Sequence, residues 1–245
     1  MNFAIDPESG QQITAQQYRE RWGNKALGAK DDHRPKVRCE FCSQEMHHVA
    51  GRTEDSHGHF SHQPKSGYCP TKAPAGLPYG HLTPVNPDPM HAQWIRGQAM
   101  AHWRWIYEEV SKRVPAFDPN EFVELVRVAD RDGLWGYRNL TLRQVPELFL
   151  VIRDFTPATS KHRKYWFRVW FSAAIRNIED LWITPPESVQ LFRASFPAPT
   201  GRQKIPKPDE MVRLTPLARV GDVHGNYSKV TDFAIKVISS ALKVN

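Results

Sequence analysis

Residues 37–70 read VRCEFCSQEMHHVAGRTEDSHGHFSHQPKSGYCP and hold all three cysteines of the chain, Cys39, Cys42 and Cys69, together with His47, His48, His57, His59 and His62. The stretch has few aliphatic side chains, so it cannot close a hydrophobic core of its own and needs a staple to fold. An odd number of clustered cysteines fits metal ligation better than a disulfide framework. Cys39 and Cys42 are in C-x2-C spacing, which lets two thiolates converge on one tetrahedral ion. Two further ligands must come from His59, His62 and Cys69. The set read from the sequence is Cys39, Cys42, His62 and Cys69, with His59 able to replace either of the last two. Four such ligands close the coordination sphere of Zn2+ and leave no position for substrate, so the expected cofactor is a structural zinc ion.

Two other readings compete for this segment. One is a metal-free histidine-rich loop. The other is an HNH-type nuclease with His48 in "MHHVAG" as general base. The HNH pattern wants a second cysteine pair and a well-placed asparagine, for which only Asn86 offers itself. His47, His48 and His57 are most simply read as solvated loop histidines.

The 245 residues allow a small module and a medium-sized domain, and 40% apolar with 24% charged residues is the make-up of an ordinary folded protein. No apolar run reaches the length of a membrane span and no signal-peptide layout opens the chain, so the expectation is a cytoplasmic protein without a membrane partner. The formal charge of +7 points toward polyanions, with nucleic acid as the default partner.

Along the chain, "FAID" reads as a strand and "DPESG" as a turn, and Thr14 caps a short helix through Ala15, Tyr18 and Trp22. Residues 71–89 carry five prolines and two glycines, the composition of a connection. Asp88 and Pro89 start a helix that runs to Pro115, with Trp94, Ala99, Trp103, Ile106, Tyr107 and Val110 as its buried stripe. "EFVELVRVA" and "LWGYRNLTL" around "DRDG" read as a β-hairpin. "PELFLVIRDF", apolar on both faces, reads as a central strand. "KYWFRVWFSA" and "SVQLFRASF" supply two more, and Val230 to Leu242 an amphipathic terminal helix. The expected fold is α+β: a zinc-ribbon-like module over 1–85 and a mixed α/β domain over 86–245.

"FAIDPESGQQITA", "VRCEFC", "HGHFSH" and a final cysteine together resemble the zinc-ribbon head of competence CoiA-like proteins, in which a C-x2-C is followed by H-F-x-H. The resemblance covers residues 3–70. It implies that a restriction-endonuclease-like domain of the PD-(D/E)xK type follows, where two carboxylates hold Mg2+ and a lysine orients water. None of the lysines here has Asp or Glu two positions before it. The family's catalytic residues therefore do not carry over, and the body reads as a degenerate endonuclease-like fold with no assigned catalytic residue.

In "KYWFRVWFS" alternation places Lys164, Trp166, Arg168 and Trp170 on one side, a face that suits phosphates and bases if it is open; the reading preferred for Trp166 and Trp170 is burial under covering helices, with Arg168 reaching solvent along its aliphatic stem. The preceding loop adds Lys161 and Arg163, and "TGRQKIPKP" adds Arg202, Lys204 and Lys207. The expected function is a zinc-stabilised nucleic-acid-binding protein or a subunit of a nucleoprotein complex, in DNA uptake, recombination or defence against mobile elements, without catalysis. The alternatives are a metal-dependent nuclease, HNH-like or built on Glu147, Asp154 or Asp180, and a protein-interaction subunit that does not touch nucleic acid.

Overall fold

A computed structural model describes residues 1, 3–23, 33–40, 43–51, 57–64, 69, 82–158, 163–172, 175, 177–199, 206, 210–224 and 230–244. The chain is an α+β protein, with six α-helices and two antiparallel sheets among the described residues. It divides into two units, Met1–Ala75 with Lys207–Met211, and Gly76–Pro206 with Val212–Asn245.

The first unit is built on a five-stranded sheet of order β2-β1-β3-β4-β5, with β1 Phe3–Ile5, β2 Gln12–Thr14, β3 Val37–Arg38, β4 Glu45–Val49 and β5 His59–His62. The turn between β1 and β2 is held by Asp6, whose carboxylate accepts from the Glu8 amide (2.9 Å) and the Ser9 hydroxyl (2.9 Å). Thr14 then caps α1, Ala15–Trp22, in a reciprocal capping box with Gln17. Register puts Ala4, Ile13, Val37, Met46, His48 and Phe60 on one side of the sheet, and all six are buried. Tyr18 of α1 lies against this side and donates its hydroxyl to the Pro35 carbonyl at 2.6 Å. Phe60 and Met1 exchange two backbone hydrogen bonds, so the sheet curls until its last strand meets the residues that open its first. Aliphatic content is low throughout, as the staple argument requires.

The second unit packs helices against a three-stranded sheet. The expected single helix from 89 to 113 is two, α2 Pro89–Ala101 and α3 Trp103–Arg113, separated at His102. Ala99, Trp103, Ile106, Tyr107 and Val110 are buried as the periodicity predicts, whereas Trp94 is 57% exposed, because the face that α2 buries is that of Ile95, Ala99 and Met100. The expected β-hairpin over 121–142 is instead α4, Pro119–Arg131. Its start signal is Asp118-Pro119-Asn120-Glu121, a capping box with proline in the first turn, and Phe122, Val123, Leu125, Val126 and Ala129 follow at helical spacing. The expected central strand is α5, Val145–Val151, opened by Pro146 in its first turn. A short run apolar on every side fits a buried helix as well as a buried strand, and packing chose the helix.

Phe122 of α4 forms the aromatic centre, touching Trp103 and Tyr107 of α3 and Phe149 of α5, with ring centroids 5.8 to 6.4 Å apart. The sheet is an antiparallel meander of β6 Trp166–Phe171, β7 Leu191–Phe196 and β8 Arg213–Leu217. The alternation of the first two is legible in the sequence. β8 is not, since Pro216 breaks its pattern, and an edge strand is where proline is tolerated. The terminal helix α6, Asp232–Leu242, lies on α4 through Ala234 and Ile238.

Candidate metal centre

The strand register of the first unit decides which of the Cys and His side chains meet. Cys39 follows β3 on the same side as Val37. Met46 of β4 is paired with Val37 and with His62 of β5, so Cys39 and His62 lie on one side of the sheet near its end. A tight turn leads out of β3, with the Cys39 amide donating to the Gln44 carbonyl (2.9 Å), the Ser43 amide to the Cys39 carbonyl (2.8 Å), and Ser43 at φ +54°. Cys69 comes in from beyond β5. The ligand atoms of Cys39, His62 and Cys69 lie within 4.8 Å of one another, the one such Cys/His/Asp/Glu group among the described residues.

The two sulfurs are 3.7 Å apart, far longer than a disulfide bond. Two thiolates on a tetrahedral zinc at about 2.3 Å each are separated by roughly 3.8 Å, so the observed spacing is compatible with two ligands sharing one ion. Both cysteines are buried and His62 is half-buried, which excludes the water that would compete for the metal. The donor set fits zinc. Cys42, the fourth ligand expected from the sequence, lies outside the described residues. His59 is three residues from His62 and so points to the opposite, exposed side of β5; it does not join the group.

His48 is not the solvated loop histidine expected from its surroundings in sequence. It is 5% exposed, stacks on Tyr18 with centroids 5.4 Å apart, and faces the His57 carbonyl through Nε2 at 2.8 Å. Burial, reinforced by the nearby charges of Arg34, His59 and Arg19, holds its pKa below the ordinary 6.5 despite the opposing His57 carbonyl. It is a core side chain of the first unit, which leaves an HNH-type reading without its general base at the surface.

No family model, curated protein or solved structure matches the chain.

The basic residues expected to meet nucleic acid divide sharply. Lys161, Arg202, Lys204 and Lys207 lie outside the described residues. Lys164 is exposed. Arg163 and Arg168, expected at the surface, turn inward instead. Arg163 bonds the Thr156 carbonyl (2.7 Å), the Ala116 carbonyl (3.2 Å) and the Glu121 carboxylate (3.0 Å). Arg168 is clamped by Asp154 at 2.9 Å, and the Trp166 indole donates to the same carboxylate at 2.7 Å. Trp170 is 1% exposed, so this side of β6 is covered rather than open to bases. A guanidinium taken out of water must keep a counter-charge, and both arginines have one inside the fold.

The carboxylates considered for a nuclease are engaged in the same way. Glu147 is 2% exposed and accepts from Arg219 (2.6 and 2.8 Å) and from the Val220 amide (3.0 Å). Asp154 is held by Arg168 and Trp166. Asp180 accepts from the Asn177 amide at 2.9 Å in a capping box. None of the three belongs to a group able to hold a metal among the described residues. No helix among the described residues is long and apolar enough to cross a membrane.

Proposed function

We propose that the chain is a zinc-stabilised nucleic-acid-binding protein, or a subunit of a nucleoprotein complex, in which the metal is structural and no bond is cut. The observation that carries this reading is the Cys39–His62–Cys69 group: two thiolates at the spacing of a shared tetrahedral ion, in a unit with few aliphatic residues. Cys42, in C-x2-C spacing with Cys39, completes the set. Four such ligands fill the coordination sphere, so the ion organises the fold and offers no site to a substrate. The excess of seven positive charges supports a polyanionic partner. The head's resemblance to CoiA-like proteins supports a role in DNA uptake, recombination or defence, and engagement of Glu147, Asp154 and Asp180 by donors of their own fold speaks against a Mg2+ site there.

The test is metal analysis of the purified chain, followed by binding to single- and double-stranded oligonucleotides over a series of salt concentrations. We expect one zinc per chain, binding that weakens linearly in log–log form as salt rises, and no Mg2+-dependent cleavage. Cleavage abolished by Glu147→Gln or His48→Asn would overturn the non-catalytic reading, and absence of binding at low salt would turn the assignment to a protein-interaction subunit.

A further inference from the structure

Around the second unit's sheet, the buried arginines are matched with acids: Arg113 with Glu109, Arg163 with Glu121 and Arg168 with Asp154. Half-buried Arg219 has Glu147. Two arginines on the sheet itself have no acid partner among the described residues. Arg193 of β7 and Arg213 of β8 stand on the same side of the β7–β8 pair, where Arg193 is registered with Thr215 and Arg213 with Ser195. Among the described residues, the charge that bears on Arg193 is the like charge of Arg213.

Arg193 is anchored on one flank only. Its Nη1 donates to the Arg113 carbonyl at 2.6 Å, closing the end of α3, and its guanidinium lies 4.9 Å from the centre of the Phe167 ring. Capping a helix end accounts for that bond and for nothing else about the position. The Nε of Arg193 is buried with no hydrogen-bond partner among the described residues, and so is Oγ1 of Thr215, its cross-strand neighbour. Buried polar atoms in folded proteins are nearly always paired, and leaving one unpaired costs about 1–3 kcal/mol. Here two unpaired atoms share one ladder position beside a second guanidinium that carries no acid. An N–H, a hydroxyl and a neighbouring cation are the donors that a tetrahedral oxyanion accepts from.

We propose that Arg193, Thr215 and Arg213 form a phosphoryl-oxyanion site on the β7–β8 pair, with Arg193 Nε and Thr215 Oγ1 bonding the oxygens and Arg213 closing over the charge from solvent. The ligand is a phosphodiester of a bound polynucleotide or a free phosphate. The first source rests on the nucleic-acid reading above; the second does not. The like-charge repulsion between the two arginines, which with burial depresses the pKa of Arg193, is relieved when an anion lies between them.

The test uses the full zinc-loaded chain and the variants Arg213→Gln and Thr215→Val. Arg213 is exposed, so its replacement leaves the core untouched, and Thr215→Val keeps the shape while removing the hydroxyl. Inorganic phosphate is titrated by calorimetry, and an oligonucleotide is titrated across salt. We expect each variant to weaken phosphate binding by about tenfold or more, the weight of one charge-assisted hydrogen bond. We expect Arg213→Gln to reduce the salt slope for the oligonucleotide by about one. Oligonucleotide binding by the parent that is unchanged in both variants overturns the site and leaves the nucleic-acid reading standing. Phosphate binding that depends on Arg213, with no oligonucleotide binding by the parent, upholds the site and removes the polynucleotide as its source. Failure of the parent to bind either probe overturns the site.

Discussion

At the scale of single residues, the first unit depends on two positions toward the far end of the β4–β5 pair from His62. Gly58 has φ +80°, and a Cβ there would come within 2.1 Å of the Val49 carbonyl and 2.9 Å of His48 Nε2. Gly58→Ala therefore combines left-handed strain of about 1–2 kcal/mol with a backbone clash, and its urea midpoint should fall clearly below that of Gly97→Ala, where nothing lies within 4 Å. His48 is held neutral by burial. Its folded pKa lies below the ordinary 6.5, so the unfolded chain takes up the proton first as pH drops. The contribution is full above 6.5 and is lost as pH falls through the folded value. Urea unfolding followed between about pH 5 and 8 should show stability rising with pH, and His48→Asn should flatten part of that rise. An identical slope in the variant would remove His48 from the account. The sequence names both residues, but a histidine in a histidine-rich segment reads as solvated until the strand pairing places it under Tyr18.

At the scale of elements, capping signals are more reliable than apolar pattern in this chain. α1, α2, α4 and α6 each begin at a Thr or Asp that accepts from the first turn. The hairpin expectation failed at α4 because "EFVELVRVA" carries three β-branched valines and runs into the turn-forming "DRDG", while Asp118 and Glu121 already marked a helix start. Glu121 does two jobs there: it accepts from the Asp118 amide at 3.1 Å and neutralises Arg163, whose side chain is 1% exposed. The two halves of the capping box should then differ in cost. Asp118→Ala removes a cap worth about 1 kcal/mol, whereas Glu121→Ala strands a buried guanidinium at about 3–5 kcal/mol. Denaturant unfolding of the two variants measures the difference, and equal costs would show that Arg163 finds another counter-charge.

At the scale of the whole molecule, the two units differ in what holds them. The second has a continuous aromatic core through Phe122, and the first has a small curled sheet with the Cys39–His62–Cys69 group at one end. On the zinc reading, metal binding is part of the folding free energy of the first unit alone. Chelation should make its residues susceptible to proteolysis and leave fragments of the second unit intact. Cys39→Ser should reproduce that pattern without chelator. Simultaneous digestion of both units on metal removal would contradict the division of stability.

What the sequence determined by itself is local or short-range in cause: a cysteine–histidine segment too poor in aliphatic residues to fold unaided, helix starts set by side chains three residues from the ends they cap, and the alternation of β6 and β7. The choice between His59 and His62 needed strand register, because a step of three along a strand reverses the side on which a residue stands. Tertiary structure alone decided the fate of the arginines. Arg163 and Arg168 meet Glu121 and Asp154, which are 42 and 14 residues away, while Arg193 and Arg213 meet no acid among the described residues. Charge is written in the sequence, but which cation is left to meet a partner depends on contacts that only the folded chain makes.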